Sequence, residues 1–308
     1  MTALTFGFPQ VGSLGLAHAT IGTFDGLHRG HQALLRPLIA GARRAEAQSV
    51  LVTFDPHPRC VLDPEHCPAC LTTVDEKRWL LEQMGLDQLI VIPFTAQVAG
   101  LTPGAFMKRL MRGMELRHLV TGADFRFGQG RRGDPAFLRR LGERHGFTVE
   151  VPPTVSRGRE SVSSSRIRRL VLLGQMRAAA QLLGRDYVFR STVEHGEKRG
   201  QQLGFPTANL RIPPNKLVPA SGVYAARVEI DGQLRLGALS VGYRPTFGGH
   251  NLTVEVFILD FEGNLYDRQI AVWFVQRLRG ERRFASVPGL QQQMARDVEN
   301  ARRVLRRS

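Results

Sequence analysis

The sequence predicts an α/β plus all-β protein, with a parallel-sheet domain first and a small antiparallel barrel with a terminal helix second. In the first half, short apolar runs alternate with amphipathic stretches, which is typical of a parallel sheet covered by helices on both faces. After about residue 184 strand patterns follow one another across turn signals such as Asp231-Gly232. Because 308 residues suffice for two domains, we predict domains at 1–183 and 184–308.

The elements of the first half follow from this alternation. Strands are predicted where the chain is apolar throughout, at 18–21, 49–54, 89–94, 116–121 and 148–151. Helices are predicted where apolar residues recur at helical spacing, at 31–47, 74–84, 103–114 and 135–145. Parallel sheets bind ligands at the carboxyl ends of their strands, so the turns after these strands are the first candidates for a site.

The second half is predicted as a run of strands that ends in a helix. The strand patterns lie at 187–194, 222–230, 233–241, 252–258 and 269–274, and the last helix covers 287–305. The segment 163–183, with Gly174 between two helical stretches, joins the halves. Short strands without intervening helices favour a small barrel or sandwich.

Composition excludes several classes of protein. A hydrophobic fraction of 43% with 22% charged residues excludes global disorder, and no run approaches the roughly 18 apolar residues of a membrane span. The first residues resemble no signal peptide, and three cysteines cannot form a disulfide framework. We therefore expect a cytoplasmic protein without a membrane partner, present as a monomer or weak homo-oligomer.

The net charge of +15 favours anionic partners. The 42 basic residues of the chain are nearly all arginine. Nucleic acid is one candidate, but four Tyr and two Trp provide no stacking platform, so we expect no nucleic-acid partner. Phosphorylated small molecules suit the same charge.

The most informative motif is the glycine-rich turn 22–31, which follows the first predicted strand and opens a helix. Its glycines permit close backbone approach, and a helix N-terminus offers unpaired N–H groups to phosphate. His28 and His31 could donate hydrogen bonds to one triphosphate as charge develops on its oxygens. Alternatively, one histidine caps the helix while the other packs, or the two form part of a metal site that lacks an evident third ligand.

Three further segments of the first half carry polar groups at strand or helix ends. Two prolines make residues 55–58 a rigid loop, which could also be a structural turn alone. Asp124 could hydrogen-bond a heterocycle between Phe125 and Phe127, although such phenylalanines are more often core. The serines at 163–165 are typical of a helix N-cap, with Arg168 one turn into that helix.

Taken in order, these motifs resemble a known family. The H-x-G-H turn is similar to that of the nucleotidylyltransferase superfamily, which has a Rossmann-like fold. Together with 53–58, 122–128 and 163–168, it resembles the FMN adenylyltransferase module of bacterial bifunctional FAD synthetases. The resemblance implies that His28 and His31 are catalytic. It implies ATP or phosphate contacts for Gly22, Phe24, Asp25, Gly26, Gly30, Ser163, Ser164 and Arg168, and flavin contacts for Pro56, His57, Pro58 and Asp124.

In the second half, residues 196–210 form a glycine-rich basic loop that leads into Pro-Thr-Ala-Asn. Such a loop can wrap phosphates with backbone N–H groups while a hydroxyl and an amide hold Mg²⁺, although a plain hairpin loop is the commoner meaning. Glu255 lies in the apolar strand pattern 252–259, where a charge is costly without a partner or a role. An outward-facing glutamate on an alternating strand is the alternative.

The string Leu-Gly-Phe-Pro-Thr-Ala-Asn-Leu resembles the signature of riboflavin kinase, as do 222–225 and 242–247. The resemblance implies ATP and Mg²⁺ binding by Gly204, Thr207 and Asn209, with Thr207 on the Mg²⁺ ion, and makes Glu255 the catalytic base. The whole chain is then expected to convert riboflavin to FMN and FMN to FAD, with flavins as substrate and product. Two departures from the family are Gln201, where arginine is usual, and Ser240-Val241, where asparagine-isoleucine is usual.

Two other functions are compatible with parts of the sequence. One is a flavin- or RNA-binding regulator that kept the fold and lost catalysis. The presence of all five residues to which the resemblance gives chemical roles argues against it: His28, His31, Thr207, Asn209 and Glu255. An adenylyltransferase for another cofactor is disfavoured by the adjoining kinase motif.

The cysteines form a cluster of their own. Cys60, Cys67 and Cys70 lie near His57 and His66 in the sequence, and such a group could form a zinc site. A single C-x-x-C without a second pair is weak evidence, and we predict an ordinary loop without zinc.

Overall fold

The computed structural model describes residues 1–157, 160–196, 200, 203–246 and 249–307. The chain divides into two compact units, Met1–Ser164 and Ser165–Ser308.

The first unit is built on a six-stranded sheet in which every described pair of neighbouring strands is parallel. Its strands are β1 (Ala3–Phe6), β2 (Leu16–Ile21), β3 (Gln48–Asp55), β4 (Gln88–Pro93), β5 (Glu115–Val120) and β6 (Thr148–Glu150), in the spatial order β1-β4-β3-β2-β5-β6. The chain therefore moves outward from β2 to β3 and β4, and then crosses to β5 on the other side of β2. The gap between β2 and β5 is the topological switch point, where sheets of this kind bind ligands.

Helices connect the strands and cover the sheet. They are α1 (Arg29–Arg44), α2 (Pro58–Leu62), α3 (Val74–Met84), α4 (Ala96–Ala99), α5 (Pro103–Met111) and α6 (Pro135–His145), with two short 3₁₀ turns at Pro64–His66 and Gln129–Arg131. Alternate strand residues such as Val50 and Val52 pack with Phe106 and Leu110 of α5 in one core. Leu51, between those valines, is also buried and points to the opposite face. The sheet is thus apolar on both faces, as the uninterrupted strand patterns predicted.

The second unit is built on a closed six-stranded barrel. Its strands are β9 (Tyr187–Glu194), β10 (Thr207–Leu210), β11 (Gly222–Ile230), β12 (Gln233–Thr246), β13 (Gly249–Ile258) and β14 (Gln269–Arg279), in the spatial order β10-β13-β12-β11-β14-β9. A separate two-stranded ladder in the chain before the barrel pairs β7 (Ser156–Arg157) with β8 (Glu160–Ser161). Buried aromatic rings fill the barrel: Phe274 meets Tyr224 edge-on at 5.2 Å and Tyr187 at 6.1 Å between ring centroids.

The barrel is accompanied by the helices α7 (Ser164–Leu172), α8 (Met176–Leu183) and α9 (Val287–Arg306). Ala301 and Leu305 of α9 pack against Ala225 and Val275 of the barrel. Across the described part of the chain, no helix combines the length and apolar character that a membrane crossing demands.

Several elements differ from the predicted ones. β1 and β10 were not predicted as strands, because Ala3–Phe6 is short and half-exposed and Thr207–Leu210 is polar after a proline. The first helix begins at Arg29 and ends at Arg44, so the predicted range 31–47 is shifted; Glu46, with φ 51°, already lies outside it. The unit boundary precedes α7 and α8, whereas the predicted boundary at residue 184 follows them, and the extent of each catalytic domain stays a prediction.

Candidate active sites

The first candidate site lies in the turn from β2 into α1, beside the switch point. Three residues of this turn have left-handed backbone conformations: Phe24 with φ 45°, Gly26 with φ 82° and Leu27 with φ 42°. A positive φ is ordinary for glycine but costly for Phe and Leu, and it persists only where surrounding contacts hold the backbone. Both side chains are buried, so packing and polar contacts together fix the turn.

His28 and His31 lie together at the start of α1. His28 is the N-cap residue, and its Nδ1 accepts a hydrogen bond from the backbone N–H of His31 at 3.4 Å. The two rings stack with centroids 3.6 Å apart, and Phe24 packs 4.7 Å from the ring of His31. Because Nδ1 of His28 accepts, the neutral ring carries its proton on Nε2, which makes Nε2 a donor. The capping alternative is therefore realised for His28.

Gly30 leaves room for this arrangement. A Cβ at that position would lie 3.1 Å from two atoms of the His28 ring, which is tighter than ordinary packing. The glycine between the two histidines therefore permits the ring of His28 to fold back over the helix start.

The carboxylate of Asp25 binds backbone groups of the protein itself. It accepts hydrogen bonds from the backbone N–H groups of Leu71 and Thr72, each at 3.0 Å, and the hydroxyl of Thr72 in turn accepts from Gly26 N. Ser164, from the predicted serine cluster, donates its hydroxyl to the carbonyl of Asp25 at 2.9 Å. Asp25 and Ser164 thus brace the turn, and direct contact of either with ATP stays a prediction.

Lys77 is a residue of this site that sequence reasoning missed. It lies on α3, is only 5% exposed, and donates from Nζ to the carbonyl of Thr23 at 2.7 Å and to Oγ1 of Thr53 at 2.9 Å. Burial lowers the pKa of its amine, and the nearby Asp25, Cys70 and Asp55 oppose that shift. A usable signal existed: Lys77 lies three and four residues before Leu80 and Leu81, on the apolar face of the helix.

The predicted flavin contacts occupy the loops after β3 and β5. His57 is the N-cap of α2, where its Nδ1 accepts from Arg59 N at 3.1 Å, and Pro58 occupies the first turn. Asp124 is exposed in the loop after β5. Phe127 is 8% exposed and belongs to the core, and Phe125 stacks on it at 5.3 Å, so these rings serve packing first. Pro56 precedes the same short helix. The flavin roles of Pro56, His57, Pro58 and Asp124 stay predictions.

Arg168 lies on α7, one turn after Ser164. It falls in the second unit, whereas Ser163 and Ser164 close the first. Its proposed contact with phosphate is therefore a prediction from the motif alone.

The second candidate site lies on the barrel, where β10 pairs with β13. Asn209 stands opposite Glu255 and Thr207 opposite Phe257, so these four side chains share one face of the sheet. The hydroxyl of Thr207 donates to Oε2 of Glu255 at 3.1 Å. Glu255 is half-buried between the fully buried Val254 and Val256 on the other face.

Two glycines of the preceding loop pack directly on this site. A Cβ at Gly196 would lie 2.2 Å from Nδ2 of Asn209, and one at Gly200 would lie 2.4 Å from the carbonyl of Phe205 and 3.1 Å from Oγ1 of Thr207. Gly204, in the predicted phosphate loop, has φ 84°. The backbone thus comes as close to the Thr and Asn side chains as glycine alone permits. Gln201 lies outside the described residues.

The barrel site offers oxygen atoms of three kinds: a hydroxyl, an amide carbonyl and a carboxylate. This is the donor class that Mg²⁺ prefers, usually completed by substrate phosphates and water. In the described part of the chain, His, Cys, Asp and Glu side chains nowhere form a group of three or more that could hold a metal ion.

The cysteine cluster contains a pairing that the sequence did not indicate. Cys60 and Cys67 form a disulfide, while Cys70 is not disulfide-bonded. The segment leads from α2 to Leu71 and Thr72, whose N–H groups hold Asp25.

Comparison with known families covers both units. The FAD synthetase family matches residues 14–166, and the riboflavin kinase family matches residues 183–305.

Similar proteins carry both parts in one chain. A bifunctional riboflavin kinase/FMN adenylyltransferase of Pseudomonas fluorescens is 41% identical over 92% of this chain and 91% of its own length. Proteins with the same description from Listeria monocytogenes and Escherichia coli K12 are 35% and 36% identical, again over 92% of this chain and 90% and 91% of theirs. A crystal structure described as a macrolide-efflux protein from Streptococcus pneumoniae superimposes with a TM-score of 0.81 at 32% identity, over 93% of this chain and 94% of that one.

Proposed function

Since the chain belongs to the family of bifunctional riboflavin kinases/FMN adenylyltransferases, we propose that its two units carry the two reactions on separate sets of residues. The chain phosphorylates riboflavin to FMN and adenylylates FMN to FAD, both at the expense of ATP. The kinase residues are on the barrel and the adenylylating residues are around the turn 22–31.

In adenylylation, a phosphate oxygen of FMN attacks the α-phosphorus of ATP and pyrophosphate leaves. Negative charge then grows on the leaving oxygens. The observation that carries the assignment is the pair of stacked imidazoles at the start of α1, because Nε2–H of His28 and the helix N-terminus both present donors there. His31 is the second donor, and Gly22, Phe24, Gly26 and Gly30 supply the backbone that surrounds the phosphates. His57 and Asp124, after β3 and β5, are the proposed flavin contacts.

In the kinase reaction, the ribityl hydroxyl of riboflavin attacks the γ-phosphorus of ATP. Glu255 is the proposed base that takes the hydroxyl proton, and its position beside Thr207 supports this role. The loop that ends at Gly204 presents its backbone to the phosphates.

Mg²⁺ is proposed as the metal for the phosphate-transfer steps. Thr207 and Asn209 would hold it on the barrel, where it would neutralise charge on the transferred phosphoryl group. A cytoplasmic location and a monomeric or weakly self-associating state are kept as proposals from the sequence.

Labelled ATP tests the two reactions separately. With riboflavin as substrate, ATP labelled at the γ-phosphorus should place label in FMN and, later, in FAD. With FMN as substrate, only ATP labelled at the α-phosphorus should label FAD, because the β- and γ-phosphates leave as pyrophosphate. Label from the γ-position in FAD made from FMN would refute the proposed adenylylation.

A further inference from the structure

The turn that carries His28 and His31 needs an external brace. Two of its non-glycine residues, Phe24 and Leu27, hold positive φ values, and relaxation of either would rotate the chain that leads into α1. Such conformations persist only where neighbouring contacts determine the backbone. The contact that restrains the residue just before Phe24 is therefore important for where the imidazoles lie.

That contact is a closed triangle of hydrogen bonds. Lys77 Nζ donates to the carbonyl of Thr23 at 2.7 Å and to Oγ1 of Thr53 at 2.9 Å. The hydroxyl of Thr53 donates to the same carbonyl at 3.0 Å. The triangle joins α3, the carboxyl end of β3 and the turn, so it ties three elements at a single carbonyl oxygen.

A buried amine is a costly way to satisfy one carbonyl. Lys77 is 5% exposed and Thr53 is fully buried, and burial lowers the pKa of the Lys77 amine. The compact ammonium group of lysine can donate to both acceptors at once, whereas the planar guanidinium of arginine has a different shape and donor geometry. The free-energy cost of burying this amine is consistent with a need to hold the turn in one position for the reaction.

We propose that Lys77, acting with Thr53, is a positioning residue for adenylylation: it fixes the carbonyl of Thr23 and thereby holds His28 and His31 in place for the triphosphate. The proposal rests on the proposed function of the turn 22–31. Lys77 touches no substrate in this account, and its effect passes through the imidazoles.

The test combines histidine NMR with kinetics on the full-length protein. Protein labelled with ¹³C at histidine Cε1 has nine resonances to follow, and those of His28 and His31 are assigned with the His28→Ala and His31→Ala variants. In Lys77→Met the His28 and His31 resonances should shift or broaden. The resonance of His118, held by Thr148 and Glu150, should stay in place and report that the first unit is folded.

Kinetics then measure the consequence. In Lys77→Met, kcat for FAD formation from FMN should fall by about 10–100-fold, the usual cost of misplacing catalytic groups by an ångström or less, with a smaller change in KM for FMN. Lys108→Met removes an exposed lysine of α5 and is the matched control for loss of one amine. Kinase activity in the same samples should match wild type.

A second pair of variants keeps the test decisive if Lys77→Met does not fold. Thr53→Val preserves shape and removes the hydroxyl from the triangle, whereas Thr53→Ser preserves the hydroxyl. Thr53→Val should move the His28 and His31 resonances and lower kcat, and Thr53→Ser should recover most of that loss.

Unmoved His28 and His31 resonances in folded Lys77→Met or Thr53→Val, or wild-type kcat in both variants, would overturn the positioning role. If wild-type protein makes no FAD from FMN, the proposed function fails instead. The NMR comparison still shows in that case whether Lys77 places the imidazoles.

Discussion

At the scale of single residues, the two histidines at the start of α1 differ in their surroundings. His28 is 5% exposed and caps the helix through Nδ1, whereas His31 stacks between His28 and Phe24. His28 therefore combines a structural bond on one nitrogen with a donor on the other, and its loss has two consequences that can be measured apart.

Replacing either histidine should slow the formation of FAD from FMN and leave the formation of FMN from riboflavin unchanged. His28→Ala or His31→Ala is expected to lower FAD formation from FMN by about 10²–10³-fold, the usual effect of removing a donor to developing charge. His28→Ala should in addition lower the free energy of unfolding by about 1 kcal/mol, because a helix cap is lost. Steady-state assays with FMN and with riboflavin, together with urea unfolding, measure both effects.

The control for these variants is His145→Ala, which removes an exposed histidine at the end of α6. Wild-type rates of FAD formation in both His28→Ala and His31→Ala would show that neither imidazole acts on the triphosphate.

Glu255 gives the complementary prediction in the second unit. Glu255→Gln retains the size of the side chain and its ability to accept from Thr207 but removes the base, so FMN formation from riboflavin should fall by about 10²–10⁴-fold. Conversion of supplied FMN to FAD should continue. Chromatography of both reactions is the measurement, and Glu262→Gln, at an exposed position, is the matched control.

Two results would count against this assignment. Undiminished FMN formation in Glu255→Gln would remove Glu255 from the role of base. Loss of FMN-to-FAD conversion in the folded variant would show that the two sites are coupled.

The motifs in the sequence selected residues that the structure brings together, but they did not indicate which other residues hold those residues in place. Thr207 and Glu255, 48 positions apart, were both selected from their motifs, and the structure brings them into contact. Asp25 was selected as a phosphate contact, but its carboxylate binds backbone N–H groups of residues 46 and 47 positions away. Such long-range partners depend on how the strands are ordered, which a local motif does not contain. The position of Lys77 on the apolar face of its helix was readable from the sequence, but its partners Thr23 and Thr53 were not.

At the scale of elements, those predicted best have a clear period of apolar residues, alternating in the strands and recurring every three or four residues in the helices. β9 and β11 have the predicted bounds, as do α3 and α6. β12 extends to Thr246, beyond the predicted end at 241, because its pairing with β13 continues through Gly242 and Pro245. Gly242 and Pro245 are residues that usually end a strand, but here pairing with the neighbouring strand continues past them. This pairing belongs to the closed barrel, which the local sequence does not show.

The disulfide between α2 and the following 3₁₀ turn makes a prediction of its own. It closes a loop with a sequence separation of 7, for which chain entropy gives a stabilisation of about 2 kcal/mol. Cys60→Ser combined with Cys67→Ser should therefore lower the free energy of unfolding of the first unit by up to about this amount. In excess dithiothreitol the variant and wild type should unfold alike, which is the internal control.

Both activities should survive loss of the cysteines, because none of the three belongs to the proposed catalytic residues. The same holds for Cys67→Ser combined with Cys70→Ser. A variant that is folded and yet makes no FAD would show that the cysteine segment has a functional role beyond stability.

Helix α8 decides where the kinase unit can be cut. It buries Met176, Ala179, Leu182 and Leu183, and full burial of a large apolar side chain contributes about 1.5–3 kcal/mol. A fragment 165–308 should therefore have a higher free energy of unfolding than a fragment 184–308. The difference should be several times the contribution of one buried side chain. Circular dichroism during thermal unfolding measures the difference.

Kinase activity should follow folding in these fragments, since Thr207, Asn209 and Glu255 lie in both. A folded fragment 165–308 that makes no FMN would contradict the placement of the whole kinase site on the barrel.

At the scale of the whole molecule, two units of different architecture each contain one proposed phosphate site. The proposed site of the first unit is a helix start beside the switch point of a parallel sheet, and that of the second is a glycine-rich loop beside paired strands of a barrel. The net charge of +15 suits a chain whose substrates are ATP and a flavin phosphate. The change of architecture along the chain was predictable from periodicity, because helical and strand spacing differ.

The central claim is that this one chain carries both reactions. The most direct measurement is a time course of the purified protein with riboflavin, ATP and Mg²⁺, followed by chromatography of the flavins. FMN should appear first and FAD should follow, with one ADP and one pyrophosphate released for each FAD formed. A folded protein that forms neither FMN nor FAD under these conditions would contradict the assignment of both reactions to this chain.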